Sequence, residues 1–150
     1  MSQRERALSA LHRLREFQYS KHELTHRLAR LEERSIQQAL QTASADLAQG
    51  VQQLGDRMQG DYLDLGRDQA VGHLLRNLHD RVNQHRHAHE KAQRRTATAA
   101  EQHLTAQRQR DHVADNLAQE RARVQRAIDV RAYDDSSDLL LSRRLSGMAA

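Results

Sequence analysis

Ten histidines among 150 residues, two pairs of them spaced i,i+4, are the side chains of this sequence that come nearest to chemistry. His22 with His26 and His85 with His89 would each present two ring nitrogens on one side of a helix, which is half of a zinc site. Two ligands do not close a site, Cys is absent, and the register expected for the first helix puts His22 and His26 on its outer face. Structural or solvated histidines are the expectation, with no metal and no cofactor. His85, His89 and His103 fall instead on an inward-facing track. Charging an imidazole there costs desolvation, so the helix pairing is expected to weaken below about pH 6, given an ordinary His pKa near 6.5.

Phosphate-binding loops are missing: neither G-x-x-x-x-G-K nor G-x-G-x-x-G after a strand occurs. Ser and His are both present, but two paired helices enclose no pocket in which nucleophile, base and oxyanion donors could converge, so a non-enzyme is expected. Arg94-Arg95 and Arg143-Arg144 are candidate basic contacts, a solvated helix face being the plainer reading of the first pair. Tyr62, an aromatic at the expected bend, has no core to enter and is a candidate for recognition.

The element that must position these residues runs from Val71 to Val124. Steps of four and three from Val71 give Leu75, Leu78, Val82, His85, His89, Ala92, Thr96, Ala99, His103, Ala106, Arg110, Val113, Leu117, Glu120 and Val124. So long a heptad track predicts a helix with one narrow seam against a partner helix, in coiled-coil fashion. Branched aliphatics at its ends should grip, while the His, Ala and Thr middle packs closely but weakly.

Upstream, Ala7, Leu8, Leu11, Leu14, Phe17, Leu24, Leu28 and Leu31 suggest the inner face of a first helix, and Ser2 with Glu5 has capping-box spacing. From Ile36 the pattern resumes through Leu40, Ala43, Leu47, Val51, Leu54 and Met58, and the five-residue step from Leu31 to Ile36 predicts a phase slip. Five of the six glycines lie between 50 and 72. The chain is expected to reverse within Gly60-Asp61-Tyr62-Leu63-Asp64-Leu65-Gly66, where two glycines can take positive φ and Asp can cap.

The expected fold is all-α: a long antiparallel two-helix coiled-coil hairpin with a short C-terminal helix, forming a single elongated domain over 1–150. It comprises a helix over 3–58, a bend over 59–67, a helix over 68–132 and a short helix over 137–146. The last rests on Ser136 or Ser137 as N-cap, then Leu139, Leu140, Leu141 and Leu145 before Gly147. That apolar segment either folds back on the coiled coil or docks on another protein.

Composition agrees with stripes rather than a broad core: 37% hydrophobic, 3% aromatic, 29% charged, no Pro, and a mean hydropathy of −0.93. A net charge of +4 permits attraction to nucleic acid or acidic surfaces, but acids are mixed with the bases throughout, which favours a solvated alternating face. No apolar signal core follows Arg4, Glu5 and Arg6, and no apolar run approaches membrane-spanning length, so no membrane insertion and a cytoplasmic location are expected.

This layout resembles the stalk proteins of type III secretion, the flagellar FliJ and injectisome YscO family. The resemblance rests on Leu8-x-x-Leu11-x-x-Leu14-Arg15-Glu16 opening a long Arg/Glu/Ala/Leu/Gln helix, on chain length and the mid-chain break, and on the close. There a long helix reaches an acidic cluster (Asp134, Asp135, Asp138), leucines and the pair Arg143 and Arg144. It covers nearly the whole chain and implies a bacterial cytoplasmic component, peripheral to a secretion apparatus at the inner membrane. The end bearing both termini would sit in the pore of a secretion ATPase hexamer, and the other would reach the export gate protein; secretion chaperones are further partners of the family. On that reading Leu8, Leu11, Leu14, Arg15, Leu139, Leu140, Arg143 and Arg144 face the ATPase, and Tyr62, Leu63 and Leu65 face the gate. A basic coiled-coil adaptor or nucleic-acid-associated protein is the alternative, with Arg81, Arg86, Lys91, Arg94, Arg95, Arg108 and Arg110 as a phosphate-contacting stripe. A dimeric scaffold pairing the Val71 to Val124 track between chains is a third reading, and a monomeric hairpin the favoured one.

Overall fold

The computed structural model describes residues 1–58 and 65–149, apart from the side chain of Leu65. Two helices, α1 (Gln3–Met58) and α2 (Leu65–Met148), account for all of them but Met1, Ser2 and Ala149. They pack against each other as an all-α helical hairpin, and no strand occurs among the described residues. The first helix matches its expected bounds. The second begins at Leu65 rather than Asp68, and no described glycine takes a positive φ, so Gly66 extends the helix rather than the turn. The first turn tolerates glycine because its amides have no intrahelical acceptor to lose. The remainder of the expected bend, including Tyr62 and Leu63, lies outside the described residues, as does the side chain of Leu65.

Contacts divide the chain into two compact units, one of Met1–Lys21 with Leu104–Ala150 and one of His22–His103. In the first, Ser2 caps α1: its Oγ accepts the Glu5 N–H at 3.0 Å and donates to Glu120 Oε1 at 3.1 Å. The Glu5 carboxylate does not reach back to complete a capping box; it accepts from Arg121 Nε at 3.3 Å instead. Farther along α1, Arg15 Nη1 reaches Gln109 Oε1 at 2.8 Å. The partners run 120, 121 and 109 against 2, 5 and 15, so the pairing is antiparallel. In the second unit His26 meets His103, and Ala29 and Glu32 meet Thr96 and Arg95, again antiparallel.

Every residue of the α2 track from Val71 to Val124 is buried or half-buried, which realises the heptad reading. The α1 reading is corrected. Leu11, Leu14, Phe17, Leu24, Leu28 and Leu31 face outward, with exposures from 37% at Leu11 to 69% at Phe17. The inward positions in the first unit are Glu5, Leu8, His12, Arg15 and Tyr19. In the second unit they are His22, His26, Ala29, Glu33, Ile36, Leu40, Ala43, Leu47, Gly50 and Leu54. Val51 and Met58 are exposed as well. These inward positions keep steps of three and four, so the expected slip at Leu31 to Ile36 is absent. Ile36, Leu40, Ala43, Leu47 and Leu54 set the phase, and a rigid helix carries it back to Glu33, Ala29, His26 and His22 whatever the leucines beside them prefer.

Small side chains make the approach close. Ala92 and Ala99 are buried on α2 opposite half-buried Ala29. Thr96 Oγ1 lies 3.0 Å from Ala92 O in its own helix and 3.3 Å from Ala29 O across the seam, so one proton serves both. Gly50 is part of the same economy of volume: a Cβ there would lie 3.1 Å from Leu75 Cδ2 and 3.3 Å from Leu78 Cδ1. At Gly55 and Gly72 a Cβ meets nothing within 4 Å. Gly55→Ala and Gly72→Ala are therefore each expected to stabilise by about 0.5–1 kcal/mol through helix propensity, and Gly50→Ala by less. Urea unfolding of the three variants checks that order.

The C-terminal expectation is also corrected. No break occurs at 133–136 and no separate helix forms over 137–146; α2 continues to Met148. Ser136, expected as a possible N-cap, donates its hydroxyl to Ala132 O at 2.7 Å, one turn back in the same helix. A Ser bonded in this way leaves the ladder intact, and no Pro or Gly lies between Gly72 and Gly147 to interrupt it.

Candidate partner-binding surface

The α1–α2 seam ends, in the first unit, at a cluster built around a carboxylate. Glu120 occupies a seam position that a leucine would fill elsewhere and is 4% exposed. Arg123 Nε and Nη2 donate to its two oxygens at 3.0 and 2.8 Å, Ser2 donates at 3.1 Å, and Arg4 lies 3.9 Å away. Hydrogen bonding from Arg123 is the main cause that holds the Glu120 carboxyl at about 2, against the opposing effect of burial. Arg110 is similarly committed: its guanidinium stacks 4.1 Å over the Tyr19 ring and donates to Asp111 Oδ1 at 2.8 and 3.0 Å. It is therefore not part of a free phosphate-contacting stripe.

Beyond Val124 the character of the surface changes. From Gln125 to Met148, α2 has no α1 residue beside it, because α1 begins at Gln3 opposite Glu120 and Arg121. Every residue there is exposed except half-buried Ser137. Ile128, Val130, Tyr133, Leu139, Leu140, Leu141, Leu145 and Met148 lie open to water, the least exposed at 53%. Local contacts such as Gln125 Nε2 to Asp129 Oδ1 at 2.8 Å and Ser146 Oγ to Arg143 O at 3.1 Å sustain the helix. No tertiary packing does among the described residues, and the extension continues a helix already nucleated by the paired part of α2.

The residues expected to face an ATPase thus separate into groups. Leu139, Leu140, Arg143 and Arg144 are exposed on this extension, and Leu11 and Leu14 on the outer side of α1. Leu8 and Arg15 turn inward to the seam, Arg15 bonding Gln18 and Gln109 at 2.9 and 2.8 Å. The outward Leu24, Leu28 and Leu31 were missed as a surface because their spacing mimics a core face.

No family model, no curated protein and no solved structure matches this chain.

Six of the ten histidines, His12, His22, His26, His85, His89 and His103, are half-buried along the seam, and His73, His79, His87 and His112 are exposed. His85, His89 and His103 point inward as expected, whereas His22 and His26 do so against expectation. His26 stacks on His103 with ring centroids 5.9 Å apart and planes at 22°. His22 and His26 also bracket Glu23 in the H-E-x-x-H spacing of zinc metalloproteases, a signal legible in the sequence. Glu23, however, accepts from Arg27 Nη2 at 2.7 Å, and no group of three or more His, Cys, Asp or Glu is placed to hold a metal among the described residues. A groove of about 540 Å³ beside the seam is lined by Leu28, Ala29, Ala99, the threonines Thr25 and Thr98, and the Glu32–Arg95 ion pair. No described helix is long and apolar enough to cross a membrane.

Proposed function

We propose that this protein is a non-enzymatic stalk component of a bacterial type III secretion apparatus, cytoplasmic and peripheral to the inner membrane. Its terminal end engages the pore of the secretion ATPase hexamer. The observation that carries this reading is the extension of α2 past the start of α1: a lone helix, about 36 Å long at 1.5 Å per residue and about 10–12 Å wide, leads from a two-helix seam. Such a tip fits a narrow central channel, and its leucines with Arg143 and Arg144 supply apolar and basic contacts to the channel wall. The sequence resemblance to the FliJ and YscO family supports the same assignment. Contact with the export gate protein, through the connection between the helices, and with secretion chaperones completes the proposed role.

Co-purification with a secretion ATPase tests it. The chain carrying Leu139→Asp, Leu140→Asp and Leu141→Asp together is expected to lose the ATPase while keeping its helical content by circular dichroism. Equal recovery with both forms, or nucleic acid as the sole partner of both, with binding that weakens steeply in salt, would overturn the proposal.

A further inference from the structure

The exposed residues of the α2 extension are not scattered. Measured from Leu139, Val130 and Met148 lie nine residues to either side, Tyr133 and Leu145 six, Asp134 and Arg144 five, and Ser137 and Leu141 two. At 3.6 residues per turn, offsets of two, five, six and nine all fall within about 60° of the direction opposite Leu139. The positions therefore form one face, and that face is its own complement when reversed.

We infer that the extension pairs with the extension of a second copy of this chain, antiparallel, about a twofold axis on the side of the helix opposite Leu139. Reversal places Val130 against Met148, Tyr133 against Leu145 and Ser137 against Leu141 of the other copy. It also sets Asp134 against Arg144 at both symmetry-related places, so two opposite-charge contacts flank the apolar layers. A parallel arrangement would bring Asp134 to Asp134 and Arg144 to Arg144, which like-charge repulsion disfavours. The twofold operation uses one patch on both copies and closes on itself.

Two further observations fit a second copy as the occupant. The seam with α1 ends at Glu120 and Val124, so nothing among the described residues covers the face. The five apolar side chains on it are each more than half exposed, and pairing withdraws them together. One stripe of this length buries less than a standard interface of about 1,600 Å², so the pairing is reversible and concentration-dependent. It does not rest on the secretion role, and it is measured on the purified chain alone.

Sedimentation of the full chain is expected to show a monomer–dimer equilibrium at micromolar concentrations. Asp134→Arg leaves only positive charge at the two positions and Arg144→Asp only negative, so each alone is expected to weaken dimerisation by roughly tenfold or more. An equimolar mixture of the two is expected to recover the dimer, as is the chain carrying both changes. Orientation is read by disulfide formation, the chain having no cysteine of its own. Val130→Cys is expected to cross-link with Met148→Cys but not with itself. A wild-type chain that stays monomeric to about 100 μM, charge variants that dimerise unchanged, or self-cross-linking of Val130→Cys would each overturn the inference.

Discussion

Substituting Ala99→Asp is expected to destabilise the pairing of α1 with α2 by about 2–4 kcal/mol, whereas Leu28→Asp is expected to cost no more than about 0.5 kcal/mol. Both residues line the same groove, and hydropathy alone would rank them the other way. Ala99, however, is 6% exposed on the seam and Leu28 is 58% exposed beside it. A carboxylate at position 99 would be pressed against α1 where Ala29 and Thr96 already bring the backbones close, and Arg95, one turn back beside the same groove, is already paired with Glu32. At position 28 the same group enters water. Thermal and urea unfolding followed by circular dichroism measures both, and a larger loss for Leu28→Asp would show that the leucines, not the alanines, form the contact.

The second large effect concerns acid. The Glu120 carboxyl sits at about 2 rather than the ordinary 4.5, chiefly because Arg123 hydrogen-bonds to it, with Ser2 donating as well. A carboxylate whose folded value is depressed contributes stability that is complete above the unfolded value and is lost as pH falls through the folded one. The first unit is therefore expected to lose stability between about pH 4.5 and pH 2. Glu120→Leu is expected to flatten this acid limb while leaving stability at neutral pH little changed, since a well-packed apolar residue often replaces a buried ion pair without loss. Melting temperatures of the two forms from pH 7 to pH 2 make the comparison; parallel curves would show that another group carries the acid sensitivity.

How much of this was legible beforehand depends on which helix is considered. The α2 track was readable because its buried Val82, Ala92, Ala99, Ala106, Val113 and Leu117 all keep one heptad phase, and polar members such as Arg110 and Glu120 keep that phase with them. In α1 the leucines from Leu11 to Leu31 keep a heptad spacing of their own, offset by one or two residues from the positions that face α2. Periodicity identifies a face but not its destination, and contact across the chain chose the face bearing Arg15, His22 and His26. The C-terminal break was inferred from Ser136 and Ser137, residues that cap a helix in one setting and bond back to the preceding turn in another. Of the candidate surface, the exposed Leu139, Leu140, Arg143 and Arg144 were anticipated. The inward place of Leu8 was anticipated with the inner face of α1, but that of Arg15 was not, because an inward arginine is visible only once its partner Gln109 is in place.

A seam filled with polar groups has a consequence for how firmly the helices hold each other. In the second unit His22, His26, Glu33, Thr96 and His103 give up little by parting, since water can take over the contacts each of them makes. Local separation of that stretch, between residues 22–33 of α1 and 92–103 of α2, uncovers alanines, whereas the large aliphatic side chains Ile36, Leu40, Leu47, Leu75, Leu78 and Val82 lie beyond it in the same unit, so brief openings there are inexpensive. The pairing behaves as a loose clasp, and the leucines already turned outward are undisturbed each time it opens.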